Sequence, residues 1–169
     1  MAKLGRLALL LLALPTAANA QTASPPAAIV DAAADCWQAT GPTSIDLAQL
    51  TAKGWVAGGL KDKDGKPVQT PLRFFGKKGS SITVMVLPTG KSPACSVLSR
   101  VSGTGDYKPL VDQLQRRFKQ FDPALKAGRA GKNGLGFIGG GRIVLVEPTG
   151  TQTTPAARIV VGISASEKK

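Results

Sequence analysis

Three glycines in the C-terminal half, spaced as Gly134-x-Gly136-x-x-Gly139, match the dinucleotide-binding fingerprint G-x-G-x-x-G. In that fingerprint the glycines follow a strand and open a helix, whose N-terminal N–H groups hold a pyrophosphate. Here the run RIVLV begins at residue 142, and such β-branched residues are typical of a strand. We therefore interpret the glycines at 139–141 as a tight turn between two strands, and we expect no nucleotide and no other cofactor.

Two further stretches match ligand loops only in part. TGKS at residues 89–92 ends like a phosphate-binding loop, but Met85 stands where the first glycine of that loop belongs. DKDG at residues 62–65 is similar to part of a calcium loop, but Leu60 and Pro71 occupy the first and last ligand positions. We interpret both as turns, and we expect no metal site.

Catalytic side-chain sets are scarce in this chain. It contains no histidine, which excludes Ser-His-Asp and Cys-His arrangements and any histidine-ligated metal. Glu147 stands beside Pro148 at a predicted strand end, where a solvent-facing carboxylate is ordinary. We expect a protein that is not an enzyme, and the alternative is an enzyme with a carboxylate or Ser–Lys site.

The two cysteines, Cys36 and Cys95, could form a disulfide, since an even number of cysteines in an oxidising compartment is typical of one. The closed loop would hold about 60 residues, for which the chain-entropy model gives about 4 kcal/mol of stabilisation. The alternative, a redox pair or metal ligands, lacks a C-x-x-C motif. We expect a structural disulfide.

The N-terminus is typical of a secretory signal peptide. Lys3 and Arg6 precede an apolar run at residues 7–14, and small residues at 18–20 suit signal peptidase, so we expect cleavage after Ala20. The apolar run is too short to span a bilayer, which argues against the alternative of a retained anchor. We therefore expect a periplasmic or extracellular protein with no transmembrane anchor after cleavage.

The chain is strongly basic, with 22 Lys and Arg against 10 Asp and Glu and a net charge of +12, which falls to +10 without residues 1–20. Such a charge favours anionic partners such as nucleic acid, lipid headgroups, lipopolysaccharide or acidic cell-wall polymers, although it also serves solubility alone. The candidate anion-binding residues are Lys77, Lys78, Arg116, Arg117, Lys119, Lys126, Arg129 and Lys132.

Hydrophobic spacing predicts three helices. The first begins at Pro25 or Pro26, with Ser24 as a possible cap, and ends near residue 40. The second covers residues 45 to about 53, capped by Thr43 or Ser44. The third covers residues 106–121, because its apolar residues lie on one side of the helix. That apolar set is Tyr107, Leu110, Val111, Leu114, Phe118 and Phe121.

Alternating and β-branched runs predict the strands. Residues 54–76 are expected to form a hairpin with Asp64-Gly65 at its turn, followed by strands within residues 81–87 and 94–103. Residues 124–133 have the composition of a basic, glycine-bearing loop, and two or three more strands are expected after it.

The order of these elements favours one α+β domain: a mostly antiparallel sheet with two or three helices packed on one face, and one disulfide. We expect a signal peptide at 1–20, a flexible lead-in at 21–28, the domain at 29–165 and a frayed tail at 166–169. The leading functional expectation is an exported module that binds an anionic component of the cell envelope. The alternative is a module that binds or inhibits an envelope protein through a sheet edge or the 124–133 loop.

Overall fold

A computed structural model describes residues 22–90, 92–130 and 134–163. Within these ranges the chain forms three α-helices and eight strands. The helices are α1 (Pro26–Ala39), α2 (Leu47–Ala52) and α3 (Tyr107–Phe121). The strands are β1 (Val56–Gly58), β2 (Arg73–Gly76), β3 (Thr83–Leu87), β4 (Ala94–Arg100), β5 (Lys126–Ala130), β6 (Gly134–Gly139), β7 (Arg142–Gly150) and β8 (Pro155–Ile163).

The strands form one sheet in the order β1-β2-β3-β4-β8-β7-β6-β5, and every neighbouring pair is antiparallel. The first half of the chain (α1, α2 and β1–β4) and the second half (α3 and β5–β8) each consist of helix followed by a four-stranded meander. The two halves meet where β4 pairs with β8, with Val97 opposite Ile159. The predicted α+β class, with helices on an antiparallel sheet, is therefore confirmed.

The core lies between the helices and one face of the sheet, here called the covered face. Alternation along β4 places Cys95 and Val97 there, and both are fully buried. From α3, the residues that turn toward the same face are Leu110, Leu114 and Phe118, all of them fully buried. The helical spacing of these three residues is what the sequence pattern predicts.

An aromatic stack joins the two long helices to the sheet. The ring of Trp37 in α1 stacks on Phe118 in α3 with 5.0 Å between centroids, and Phe118 in turn contacts Phe137 of β6 at 6.4 Å. Aromatic pairs at such distances add to the stabilisation from burial alone. Beside this stack, Cys36 of α1 and Cys95 of β4 form the predicted disulfide, with 5.5 Å between their Cα atoms. The disulfide therefore joins α1 covalently to the centre of the sheet.

The ends of α1 and α2 differ from the predicted caps. Residue Pro25 precedes α1, and the buried hydroxyl of Ser24 contacts Ser81 instead of capping the helix. The Ser24 N–H donates to the carbonyl of Arg100, so the chain is packed on the sheet from this residue, within the segment expected to be a flexible lead-in. The cap of α2 is Asp46, whose carboxylate accepts from the N–H of Gln49.

Two loop interpretations need correction. Strands β1 and β2 do pair, but residues 59–72 separate them, and the Asp64-Gly65 turn closes only an isolated bridge between Lys61 and Pro67. In the segment expected to be a loop at 124–133, residues 126–130 form edge strand β5, because they pair antiparallel with β6. Glycine and lysine disfavour strands in isolation, and here tertiary pairing overrides that preference. The expected tail at 166–169 lies outside the described residues.

Candidate functional site

The glycine-rich segment forms a strand and a hairpin turn. Residues 134–139 are β6, and Gly140 and Gly141 form the turn into β7 with φ of +55° and +70°. Positive φ at both central residues is the requirement of the favoured two-residue hairpin turn. Gly139 is needed for a different reason, because a Cβ there would lie 2.1 Å from a carboxylate oxygen of Asp122. These glycines therefore have structural roles, and a strand follows them where the fingerprint needs a helix.

The other two partial motifs are turns as well. Asp62 uses one carboxylate oxygen to accept from the backbone N–H groups of Asp64 and Lys66, at 2.9 and 2.8 Å. Gly65 has a φ of +78°, which glycine adopts at low cost. Gly90, in the segment that joins β3 to β4, has a φ of +116°.

The structure divides the candidate anion-binding residues among three places. Lys77 and Lys78 lie in the turn between β2 and β3, in the first half of the chain. Two groups lie in the second half: Arg116, Arg117 and Lys119 on α3, and Lys126 and Arg129 on β5. Lys132 lies outside the described residues.

Two of these cations contact aromatic rings instead of an acidic partner. The Nζ atom of Lys77 lies 5.6 Å from the centroid of the Trp55 ring. The guanidinium of Arg117 lies 5.2 Å from the ring of Phe121 and also donates to the side chain of Gln120. Such cation–π contacts hold the side chains in place without neutralising their charge.

The carboxylates are used mainly for local structure. Asp46 caps α2, and Asp106 accepts from the N–H groups of Ser102 and Gly103. In the same way, Asp35 accepts from the indole N–H of Trp55 at 3.0 Å. These three carboxylates keep their negative charge, but they take no part in the ion pairs found in the described ranges.

Ion pairs are correspondingly few. In the described ranges two are present: Lys108 with Asp112 on α3, and Arg158 with Glu147 between β8 and β7. In the second pair the Nε of Arg158 donates to Glu147 at 2.7 Å. Glu147, the carboxylate that stood out in the sequence, is thus a cross-strand partner of an arginine. Among the described residues no group of three or more Cys, Asp or Glu side chains is arranged to hold a metal.

The face of the sheet away from the helices, here called the open face, is rich in apolar side chains. The pairing register places one row of residues across seven strands: Phe74, Met85, Ser96, Val160, Leu145, Gly136 and Gly128. A second row contains Leu87, Ala94, Gly162, Ile143, Ile138 and Lys126. Exposed apolar surface of this kind marks contact sites in many proteins.

A hollow of about 500 Å³ opens on this face in the second half of the chain. It lies over β5, β6 and β7, where Gly128 and Gly136 stand opposite each other and leave the sheet without side chains. The residues that line it are Lys126, Ala127, Gly128, Arg129, Gly136, Ile138, Ile143, Leu145 and Glu147. The sequence predicts Lys126 and Arg129 as anion-binding residues but not this hollow, because residues 124–133 have the composition of a loop.

No helix in the described part of the chain combines the length and the apolar character that a membrane span requires.

The features of the described residues that could serve a function are the exposed cations, the apolar open face of the sheet and the hollow over β5. In comparisons with known proteins the chain matches no family model, no curated protein and no solved structure, so these features alone bear on its function.

Proposed function

We propose that this protein is an exported, non-enzymatic module that binds an anionic component of the cell envelope. The main support for this proposal is that several carboxylates bond to backbone N–H groups and not to lysines or arginines. Asp46, Asp62 and Asp106 accept hydrogen bonds from backbone N–H groups, and the described chain holds two ion pairs against a net charge of +12 for the whole sequence. Few lysines and arginines of the described residues are thus held in ion pairs, and the net positive charge favours anionic partners.

The cations are spread over the surface, but four of them lie in the second half of the molecule, where we expect most of the anion binding to occur. Arg116 and Lys119 on α3 and Lys126 and Arg129 on β5 belong to the same half of the molecule. Both β5 residues adjoin the hollow, with the side chain of Lys126 on the open face and that of Arg129, which pairs with Leu135, on the covered face. We expect the β5 pair to contribute most to binding, because they adjoin a concave surface that brings a ligand close and excludes water.

Chromatography on a polyanion resin tests the proposal. The chain without residues 1–20 should bind at low ionic strength and elute as salt rises, because exposed charges are screened over about 10 Å at 0.1 M salt. Passage through the column at low ionic strength would contradict the proposal. A neutral resin of the same matrix controls for adsorption that does not depend on charge.

Three double variants, each of which removes two positive charges, locate the binding region. They are Lys126→Gln with Arg129→Gln, Arg116→Gln with Lys119→Gln, and Lys77→Gln with Lys78→Gln. The β5 double variant should elute at the lowest salt concentration of the three. Equal shifts for all three would show that net charge alone acts and would contradict the preference for β5.

A further inference from the structure

We propose that the hollow on the open face binds an anionic membrane lipid, with an acyl chain along the hollow and the lipid phosphate beside Lys126. This inference rests on the proposed function and names the ligand class for it. It is carried by three properties of the hollow: its shape, its apolar lining and the charges at its rim.

The shape of the hollow is not required by the fold. Gly128 lies within strand β5 without a positive φ, and a Cβ built on it would meet no atom within 4 Å. Neither backbone conformation nor packing inside the protein therefore demands glycine at this position. Glycine inside a strand weakens the strand, and it often marks a place where a ligand approaches the backbone closely. The volume of about 500 Å³ lies within the range of known small-molecule sites.

The lining of the hollow is mainly apolar. Ile138 of β6 is 51% exposed, although it is a large hydrophobic residue in a strand that is paired on both sides. Ile143 and Leu145 of the adjacent strand β7 are half-buried on the same face. Contact with an acyl chain would remove this apolar surface from water, which is favourable in proportion to the area covered.

The charges at the rim favour an anion. Lys126 lines the hollow from β5 on the open face and is exposed. Arg129 also adjoins the hollow, but it pairs with Leu135, so alternation along β5 places its side chain on the covered face. Glu147 also lines it, but that carboxylate is paired with Arg158. The rim thus has an excess of positive charge beside an apolar floor, and an acyl chain joined to a phosphate is complementary to both.

Two other hollows lack one of these properties. The hollow of about 420 Å³ between α3 and β7 is apolar, but the charged residues lining it, Lys108 and Asp112, form an ion pair with each other. The hollow of about 350 Å³ near the β7–β8 turn is lined by Arg100, but also by several hydroxyl groups, among them those of Ser81 and Thr149, so its lining is less apolar. Of these three, the hollow over β5 has the largest volume, and it combines a mainly apolar lining with the exposed ammonium group of Lys126.

Titration calorimetry with three probes tests the inference on the chain without residues 1–20. The probes are lysophosphatidylglycerol below its critical micelle concentration, lysophosphatidylcholine with the same acyl chain, and glycerol phosphate without a chain. We expect the first to bind more tightly than the other two, because it alone offers both the chain and a net negative charge. Equal affinity for lysophosphatidylglycerol and either of the other two probes would overturn the inference.

Paired variants locate the site. Gly128→Val fills the hollow and should lower the affinity for lysophosphatidylglycerol about tenfold or more. Its matched control is Gly76→Val, which also adds a side chain to the open face where a Cβ meets no atom within 4 Å, but in strand β2 of the first half. Lys126→Gln should lower the affinity about threefold, as expected for one exposed ion pair. Lys53→Gln, which removes a charge just after the end of α2, should not.

The outcomes separate this inference from the proposed function. Retention on the polyanion resin together with no effect of Gly128→Val on lipid binding would overturn the lipid site and leave anion binding standing. An acidic polypeptide, poly-glutamate, serves as the competing partner class. If Gly128→Val abolished binding of poly-glutamate and spared the lipid, the hollow would belong to a protein partner and the inference would be wrong. Circular dichroism and thermal unfolding verify that each variant is folded.

Discussion

The two halves of the molecule share one order of elements but secure the helix to the sheet by different means. In the first half, the disulfide between Cys36 and Cys95 joins α1 to β4, which is the last strand of that half. In the second half, the hydroxyl of Tyr107 on α3 donates at 2.7 Å to the carbonyl of Ala156 in β8, again the last strand. A disulfide in one half and a hydrogen bond in the other thus attach the helix to the last strand of that half. The shared topology therefore does not determine which type of bond makes the attachment.

The open face shows a second difference between the halves. In the first half the row of residues across the face includes Phe74 and Met85, which fill the surface. In the second half Gly128 and Gly136 stand in the same row and leave a hollow. The covalently secured half has the filled surface, whereas the half secured by non-covalent contacts has the concave one. Substitutions that weaken the packing or the attachment of each helix should lower stability by different amounts in the two halves.

Removal of the disulfide should have the largest effect. The double variant Cys36→Ala with Cys95→Ala should lose about 4 kcal/mol of unfolding free energy, because the loop between cysteines 59 residues apart is no longer closed in the unfolded chain. Urea unfolding with and without a thiol reductant measures the loss. The reductant should destabilise the native protein and leave the variant unchanged, and a variant as stable as the native protein would contradict the prediction.

Truncation of the α3 core should have the next largest effect. Leu114 is fully buried, so Leu114→Ala should lower the unfolding free energy by about 3 kcal/mol through lost burial and the cavity that remains. Val111→Ala, one turn away and only partly buried, is the matched control and should cost less. Equal losses of unfolding free energy for both variants would show that α3 does not pack on the sheet mainly through the side that contains Leu114.

Gly139→Ala should cost about 2 kcal/mol, as is typical when a side chain is forced into an occupied space. The new methyl group would meet the carboxylate of Asp122 at 2.1 Å and the side chain of Leu125 at 3.1 Å. Adding Asp122→Ala should recover part of that loss, because the closest contact is removed. Thermal unfolding of the single and double variants measures this coupling, and strictly additive losses would contradict the assigned contact.

Tyr107→Phe should have the smallest effect, a loss of about 1 kcal/mol, because the variant keeps the ring and removes one hydrogen bond. The carbonyls near the lost hydroxyl are those of Ala156 and Thr149. Urea unfolding of the variant beside the disulfide double variant compares the two helix attachments directly. A loss as large as that from the cysteine variant would reverse the comparison between the halves.

The sequence was sufficient for the elements whose pattern is local. The apolar spacing of Leu110, Leu114 and Phe118 predicted α3, and the alternation of Val84 and Val86 predicted β3. The disulfide was predicted because the chain has two cysteines and its N-terminus is typical of export to an oxidising compartment. Strand β5 was missed, because Gly128 and its neighbours have no strand pattern of their own and become extended only through pairing with β6.

The candidate site was harder to predict, since it depends on strand order. Residues 126–129 and 143–147 form one hollow only because β5, β6 and β7 are adjacent in the sheet. One signal was present in the sequence: Met85 and Leu87 alternate with Val84 and Val86, so both faces of β3 are apolar. A strand that is apolar on both faces in a sheet with helices on one side indicates that the second face serves for contact.

The position of β8 has a consequence for how the chain acquires its structure. This strand is the last described in the chain, yet it lies in the interior of the sheet between β4 and β7. During synthesis the segment through Cys95 emerges well before residues 155–163, so the thiols of the first half can meet while the sheet still lacks its joining strand. Until that strand arrives, β4 and β7 each present an unpaired edge, which is the condition under which newly made chains associate wrongly. Completion of the sheet therefore waits for residues 155–163 to be made.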